Sequence, residues 1–578
     1  MRKYSSLLAL TASIYCCMVM SCGGTDNKPE TKTAVSDRPA GCGPVEVSDK
    51  AWFTSGKKAL LFDGFDVMPY PITTKSDEAR QYFNQGLLLS FAFNHAEAAR
   101  SFFQVTRLDP ACAMGWWGLA YVLGPNYNAG MEKDNFERAY EAASKARKMA
   151  PQASVKEQDL IRALSARYSA DTSITRAVLD SAFASEMRTV AAKYPEDVTI
   201  KSLFAEAVMD IHPWNLWNKD GSPQPWTTEI MQVLKDALHL EPRHAGANHF
   251  YVHVMEMSKD AGQAMASADL LRELVPGSGH LVHMPSHTYI RTGRYHDGVI
   301  SNQQASLKDS IYMGACHAQG IYPLAYYPHN YHFMAACATL SGESALALKG
   351  AVSTARHAEK SLMTDPSWST LQHYYTIPWY VETKFGRWDQ ILATPQPDGR
   401  FKYPVAIWHY ARGMALLAKN NIAEAKQQLA AITLAMTDTT IRELTIWGIN
   451  NLFDLCAIAQ QTLTGEILAK EKKYAAAIEA LTDAVKKEDA LNYDEPPDWF
   501  FSVRHHLGAV LVEAGKFNEA IGVYKQDLMV YPENGWAFAG LVNAYKGLHD
   551  ENGREVAAEA FKRAWKFADI QLSSSRIL

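Results

Sequence analysis

From about Ser76 to the end of the chain, one spacing of small and large residues keeps returning, and only a stack of similar helical units satisfies it. Leu507, Gly508, Leu511, Ala520, Tyr524 and Pro532 set the pattern; Gly86, Leu89, Ala98, Phe102 and Pro110 repeat it in the same register. It returns at Trp116, Leu119 and Ala120, and in more degenerate form around Gly293, Gly386, Asn420 and Tyr474. Pro242 and Pro276, at the closing position of two successive copies, lie 34 residues apart. No strand pattern competes, apart from an extended, proline-marked lead-in at FDVMPYPITT. Small residues let two helices cross closely and large ones fill the gaps. Such a pair cannot bury its apolar face alone, so stacking completes the core.

These residues and spacings resemble the tetratricopeptide repeat, and the resemblance covers most of the chain. It implies an all-α solenoid of about ten helix-turn-helix units, coiled as a right-handed superhelix with a concave inner groove. The organisation expected is a signal segment at 1–21, a polar tether and lead-in at 22–75, and two repeat arrays. The first array, 76–345, carries insertions and a histidine-rich concave face, and the second covers 346–578. The same resemblance implies that groove contacts come from positions 2, 5, 9, 12 and 13 of each first helix. Counted from Ala245, His249, His253 and Glu256 take positions 5, 9 and 12. Counted from Gly279, His280, His283, His287 and Arg291 take 2, 5, 9 and 13. After an insertion, counting from Pro328 puts His329 at 2 and His332 at 5. Trp117 and Tyr121 hold positions 5 and 9 of an earlier unit, and His373 holds position 2 of a later one.

Helical geometry supports a shared face without the family. At about 100° per residue, His249, His253 and Glu256 fall within roughly a 60° arc, and so do His280, His283 and His287. Packed helices lie about 8–10 Å apart, a gap that imidazoles from both sides close. Pro285 removes an amide donor inside this run, so the helix either kinks there or starts there. The remaining histidines are isolated and read as ordinary polar residues.

Seven histidines and one glutamate on one face call for a bridging cation, and neutral imidazole is the commonest transition-metal ligand. His249, His253 and Glu256 supply the donors of non-haem iron and several zinc sites. His280, His283, His287, His329 and His332 suit copper or zinc. No cysteine lies on this face, which argues against a thiolate zinc site. The zinc-peptidase motif is absent, because Phe250 follows His249 where a glutamate is required. Eight donors exceed the needs of one ion, so two neighbouring ions are credible. The competing reading is a groove that binds a carboxylate or peptide, with Arg291 as charge partner. Trp117 and Tyr121, with His212, Trp214 and Trp217 of an insertion, are candidates to wall a pocket beside the histidines.

The first residues differ in kind. Arg2 and Lys3 precede an apolar run from Leu7 to Met20 that closes on Ser21 and Cys22. That is an export signal, and its end resembles a bacterial lipobox, which implies lipidation at Cys22 and anchoring in the cell envelope through lipid alone. A net charge of −5 gives no reason to expect nucleic acid. The five cysteines beyond Cys22 form no framework, and nothing selects a Cys42–Cys112 bridge. Two functions follow. One is an envelope-anchored binding scaffold with a metal or ligand site in its groove and a protein or peptide partner. The other is a metal-dependent enzyme, a copper or iron oxidoreductase before a zinc hydrolase. With Glu256 as the only acid of the cluster, catalysis by a protein base is not expected.

Overall fold

The computed structural model describes residues 49–578 except Asp66, His317, Gln319 and Gly320. The export signal, Cys22, the tether and Cys42 therefore lie outside the described residues.

The helices come in hairpins, as the repeat spacing predicts. Asp77–Phe91 pairs with His95–Leu108, Ala245–Glu256 with Met265–Leu274, Tyr327–Ser341 with Ser344–His357, and Gly535–Gly547 with Glu551–Ala564. The small-and-large pattern acts at the crossings. A Cβ at Gly118 would lie 2.3 Å from the Phe102 ring, and one at Gly540 would lie 2.1 Å from Tyr524. Glycine is needed there so that the aromatic ring of the neighbouring helix can fill the gap. The only strands among the described residues are Thr445–Ile446 and Asn450–Asn451, an antiparallel ribbon between two hairpins. No described helix is long and apolar enough to cross a membrane.

First helices of successive units pack on one another, and the coil is tight enough that distant units also meet. Asp77–Phe91 touches Ala245–Glu256, and Tyr327–Ser341 touches Gly535–Gly547, where Trp536 Nε1 donates to the Thr339 carbonyl at 2.9 Å. This closure corrects the expectation of an open concave groove. The inner surface around the histidines is filled by other turns of the same coil, and His249, His253, His280, His283 and His287 are each 3% exposed or less. Two apolar cores meet here: Tyr289 belongs to the earlier one and Ile290 to the later, on the same helix, Pro285–Thr292.

Ser278 caps the short helix Gly279–His283 by accepting from Leu281 N, and Pro285 takes the first position of the next segment. Met284 between them keeps helical angles. Both readings of Pro285 thus hold in part: the helix is interrupted, yet its axis continues far enough to keep His283 and His287 on one face. Beyond it, the chain before His329 passes through a π-helical turn at Tyr322–Tyr326, an irregularity that is frequent at functional sites.

Candidate metal centre

Two sets of three imidazoles come together. His249, His253 and His280 each bring one ring nitrogen within 4.8 Å of the others, and so do His283, His287 and His329. The sets adjoin: ring centroids of His253 and His287 are 5.6 Å apart, and those of His280 and His283 are 5.9 Å apart. Six rings from three helices, Ala245–Glu256, the interrupted Gly279–Thr292 segment and Tyr327–Ser341, therefore share one interior.

Outer nitrogens of four of these rings face acceptors. His249 Nδ1 lies 2.5 Å from the Phe91 carbonyl, which the closure of the coil delivers. His253 Nδ1 meets Glu256 Oε1 at 3.2 Å. His283 Nδ1 lies 2.7 Å from Asn302 Oδ1, and the Asn302 amide is fixed in that sense because its nitrogen donates to the Gly298 carbonyl. His287 Nδ1 sits between Glu256 Oε2 at 2.8 Å and Glu495 Oε2 at 3.0 Å. A nitrogen facing only acceptors carries the hydrogen, so the opposite Nε2 presents a lone pair. This is how second-shell groups orient metal-binding histidines.

The inner nitrogens then face one another. His283 Nε2 and His287 Nε2 are 3.0 Å apart, and His249 Nε2 and His280 Nε2 are 3.2 Å apart. Asn302 sets the His283 tautomer, and the His283 Nε2 lone pair points at His287 Nε2, which opposes it with a second lone pair whenever His287 is neutral. One positive charge resolves that, either a proton or a metal ion. Two metal–nitrogen bonds of about 2.0–2.1 Å, set 90–110° apart, place their nitrogens roughly 2.9–3.4 Å from each other. Both observed separations fall inside that span. His253 Nε2 is buried and has no partner in the protein.

Electrostatics follow the same division. Burial, reinforced by neighbouring imidazoles, holds His249, His280, His283 and His329 well below the ordinary histidine value, so they are neutral donors. Burial also lowers His253, against the pull of Glu256. At His287 burial is outweighed by Glu256 and Glu495, which raise it to about 9. Burial would raise Glu256, but His253 and His287 hold it at about 2. Glu495 is raised, its burial only partly offset by His287.

A cavity of about 350 Å³ adjoins the imidazoles, with His280, His287 and His329 in its wall. Aromatic rings of Tyr127, Trp214, Tyr326, Tyr374 and Trp447 form much of the remainder, together with Asp210, Asp494 and Glu495. Carboxylates therefore stand beside the cluster, which corrects the expectation that Glu256 is its only acid. Glu495 and Asp494 come from LNYDEPPDWF, a non-helical stretch between hairpins. Its proline pair and its mix of acids and aromatics mark it as unusual, but nothing in the repeat frame aims it at the histidines.

Other candidates sit elsewhere. His332 joins none of the three-residue groups found among the described residues; its ring packs on His373, Tyr374 and Phe500. Glu256 bonds the outer nitrogen of His253, and with His287 and Glu495 it forms a third group of ligand atoms within 4.8 Å of one another. Arg291 is outside the cavity wall, donating to the Glu256 carbonyl at 3.0 Å and lying over the Tyr493 ring. It supports Glu256 rather than offering a free cation. Trp117 and Tyr121 stack on each other and turn into the core, Trp117 donating to the Leu160 carbonyl and Tyr121 to Glu206. Of the insertion's aromatics only Trp214 lines the cavity; Trp217 donates to the Val254 carbonyl, and His212 stacks on Trp226.

No family model and no curated protein matches this chain. Solved structures similar to it include the human IFIT1 dimer with PPP-AAAA, at 12% identity and a TM-score of 0.32, covering 86% of this chain and 92% of that one. Yeast Tom70 is similar at 11% identity and a TM-score of 0.27, covering 84% and 93%. Naa15/Naa10 bound to HypK-THB is similar at 10% identity and a TM-score of 0.23, covering 85% and 89%.

Proposed function

We propose that this chain is a lipid-tethered helical-repeat protein whose closed interior binds a pair of copper ions and uses them in oxidation and reduction of a small molecule held in the adjoining cavity. The observation that carries this reading is the 3.0 Å approach of His283 Nε2 and His287 Nε2, with His283 Nδ1 hydrogen-bonded to Asn302 and His287 Nδ1 flanked by the Glu256 and Glu495 carboxylates. The donors are all imidazole, and divalent copper stands highest in the affinity order for such a site. His249, His253 and His280 hold one ion; His283, His287 and His329 hold the other. Glu256, Glu495, Asn302 and the Phe91 carbonyl fix ring orientation. A bound copper ion supplies one-electron transfer, which needs no protein base. The apolar wall of Phe93, stacked within 5.6 Å of His249, His253 and His280, keeps water from the first set. The cavity reaches His280, His287 and His329, so a ligand there touches both sets. The envelope location rests on the signal-like segment ending at Cys22.

The test is an electron count. Protein loaded with copper is reduced anaerobically with ascorbate and then exposed to dioxygen. Two electron equivalents should be taken up and returned per chain, and His287→Ala should lose at least half of that capacity. Selective retention of zinc over copper by the purified chain, or absence of any reversible uptake, would overturn the redox reading.

A further inference from the structure

Among the described residues the cavity wall contains no lysine or arginine, while Asp210, Asp494 and Glu495 all line it. His287, raised by its carboxylate neighbours, is in the wall but faces Glu256 and Glu495, and two arginines behind the carboxylates are already engaged. Arg167 binds Asp210 Oδ2 at 2.7 Å and Asp180 at 2.9 Å, and Arg291 is held by the Glu256 carbonyl. Asp210 Oδ1, on a side chain 2% exposed, has no partner in the protein. A buried, unpartnered carboxylate oxygen at a cavity wall needs a cation or a donor from a ligand.

A second, independent observation concerns the aromatic wall. Bulky residues with positive φ are backbone outliers, and such outliers gather at ligand clamps. Among the described residues three aromatics are held this way: Phe93 at 53°, Trp214 at 55° and Trp447 at 51°. Phe93 takes the left-handed turn position that Gly293, Gly342 and Asn420 take in other hairpins, whereas Trp214 and Trp447 lie outside such turns and line the cavity. Phe93 packs on the imidazoles, Trp214 lines the cavity and stacks on Tyr127, and Trp447 stands at the tip of the two-stranded ribbon. Trp447 and Gly448, both with positive φ, form the tight turn of that ribbon, and the Trp447 amide donates to Thr370 Oγ1 at 2.8 Å. The ring is 38% exposed and lies edge-on to Tyr374, a position at the rim of the cavity. Electron-rich faces of Trp and Tyr beside a buried carboxylate oxygen that lacks a partner are surroundings that recognise an organic ammonium.

We infer that the cavity takes a small organic cation, an ammonium group on an apolar body, held between the carboxylates of Asp210 and Asp494 and the rings of Trp214 and Trp447. This names the ligand class of the site proposed above and rests on that reading for the cavity's role. Its recognition chemistry belongs to the carboxylates and rings and not to the copper ions.

Calorimetry on the full-length protein as purified tests it with three probes of one shape: benzyltrimethylammonium, benzyl alcohol and benzylsulfonate. The quaternary ammonium has no lone pair and cannot ligate a metal, so its binding reports on the cavity alone, whatever the metal content measured on the same sample. It should bind at least about tenfold more tightly than the alcohol, and the sulfonate should give no measurable heat. Trp447→Ala, at a half-exposed turn, should weaken the ammonium about five- to tenfold. Asp494→Asn should weaken it while leaving the alcohol unchanged. Equal affinity for the three probes, preference for the anion, no binding of the ammonium, or an undiminished Trp447→Ala overturns the inference. Should Asp494→Asn fail to fold, the probe ranking and Trp447→Ala decide.

Discussion

His283 and His287 stand one helical turn apart across Pro285 and meet through their Nε2 atoms at 3.0 Å, while Asn302 and the pair Glu256 and Glu495 hold their other nitrogens. Each side chain is buried, and His287 also forms part of the cavity wall. With His287 protonated the contact is an N–H···N hydrogen bond; with His287 neutral, two lone pairs face each other in a low-dielectric interior, which a metal ion between them relieves.

Two imidazole sets imply two separable ions. His249→Ala should remove one ion per chain, His283→Ala the other, and His332→Ala neither. Metal analysis after gel filtration reads the result. Equal losses in all three variants would contradict the division into two sets.

Glu256 binds no cavity ligand in this account; it orients His253 and His287. Glu256→Gln keeps the shape and removes the charge, so metal affinity should fall about 10–100-fold while both ions still bind at high concentration. Competition with a chelator of known affinity measures it. Unchanged affinity would mean that the carboxylate orients nothing.

Packing at the repeat crossings makes a contrast between two glycines. Gly540→Ala puts a Cβ into the Tyr524 ring and should cost about 1–3 kcal/mol. Gly522, inside the helix Phe517–Val530, has nothing within 4 Å of an added Cβ. Gly522→Ala should therefore stabilise the protein by about 0.5–1 kcal/mol. Urea unfolding of both variants decides, and the same sign for both would contradict the crossing geometry.

Lys384 gives a pH dependence away from the histidine cluster. It is enclosed between His505 Nδ1 at 2.8 Å and the Trp536 ring at 3.9 Å, and burial lowers it to about 7 against the pull of Asp527 and Glu488. In the unfolded chain a lysine titrates near about 10.4. Between these values the unfolded chain holds a proton that the folded protein lacks, so stability rises with pH by up to about 1.4 kcal/mol per unit. Below about 7 both forms are charged and this slope disappears. Denaturation midpoints at pH 6 to 9 should show the rise in the difference between the natural protein and Lys384→Met. A difference that stays level would place the ammonium in a hydrated setting.

Lipidation is tested apart from the fold. Cys22→Ser should release the protein from the membrane fraction, and retention there would contradict the tether.

Much of the site was legible in sequence because helical spacing is local. The intervals among His249, His253 and Glu256, and among His280, His283 and His287, place each group on one face whatever the tertiary arrangement. The repeat register then set those faces towards one interior. What was not legible depends on closure of the coil. The Phe91 carbonyl reaches His249 only because the Asp77–Phe91 helix meets a helix far along the chain. Glu495 arrives from an irregular loop, and Asn302 from the second helix of its hairpin, a face the groove rule ignores. The same rule put His332 on the shared face and left Trp117 and Tyr121 open between groove and core. Trp117 and Tyr121 are covered by neighbouring helices, and His332, one turn beyond His329, faces His373 and Phe500.

The central claim is that the six imidazoles hold metal. Elemental analysis of the full-length protein purified from its native envelope, without chelators, measures this beside a variant with His249, His253, His283 and His287 replaced by alanine. About two ions per chain in the natural protein, and almost none in the variant, is the predicted result. The same metal content in both, or a natural protein free of metal, would contradict it.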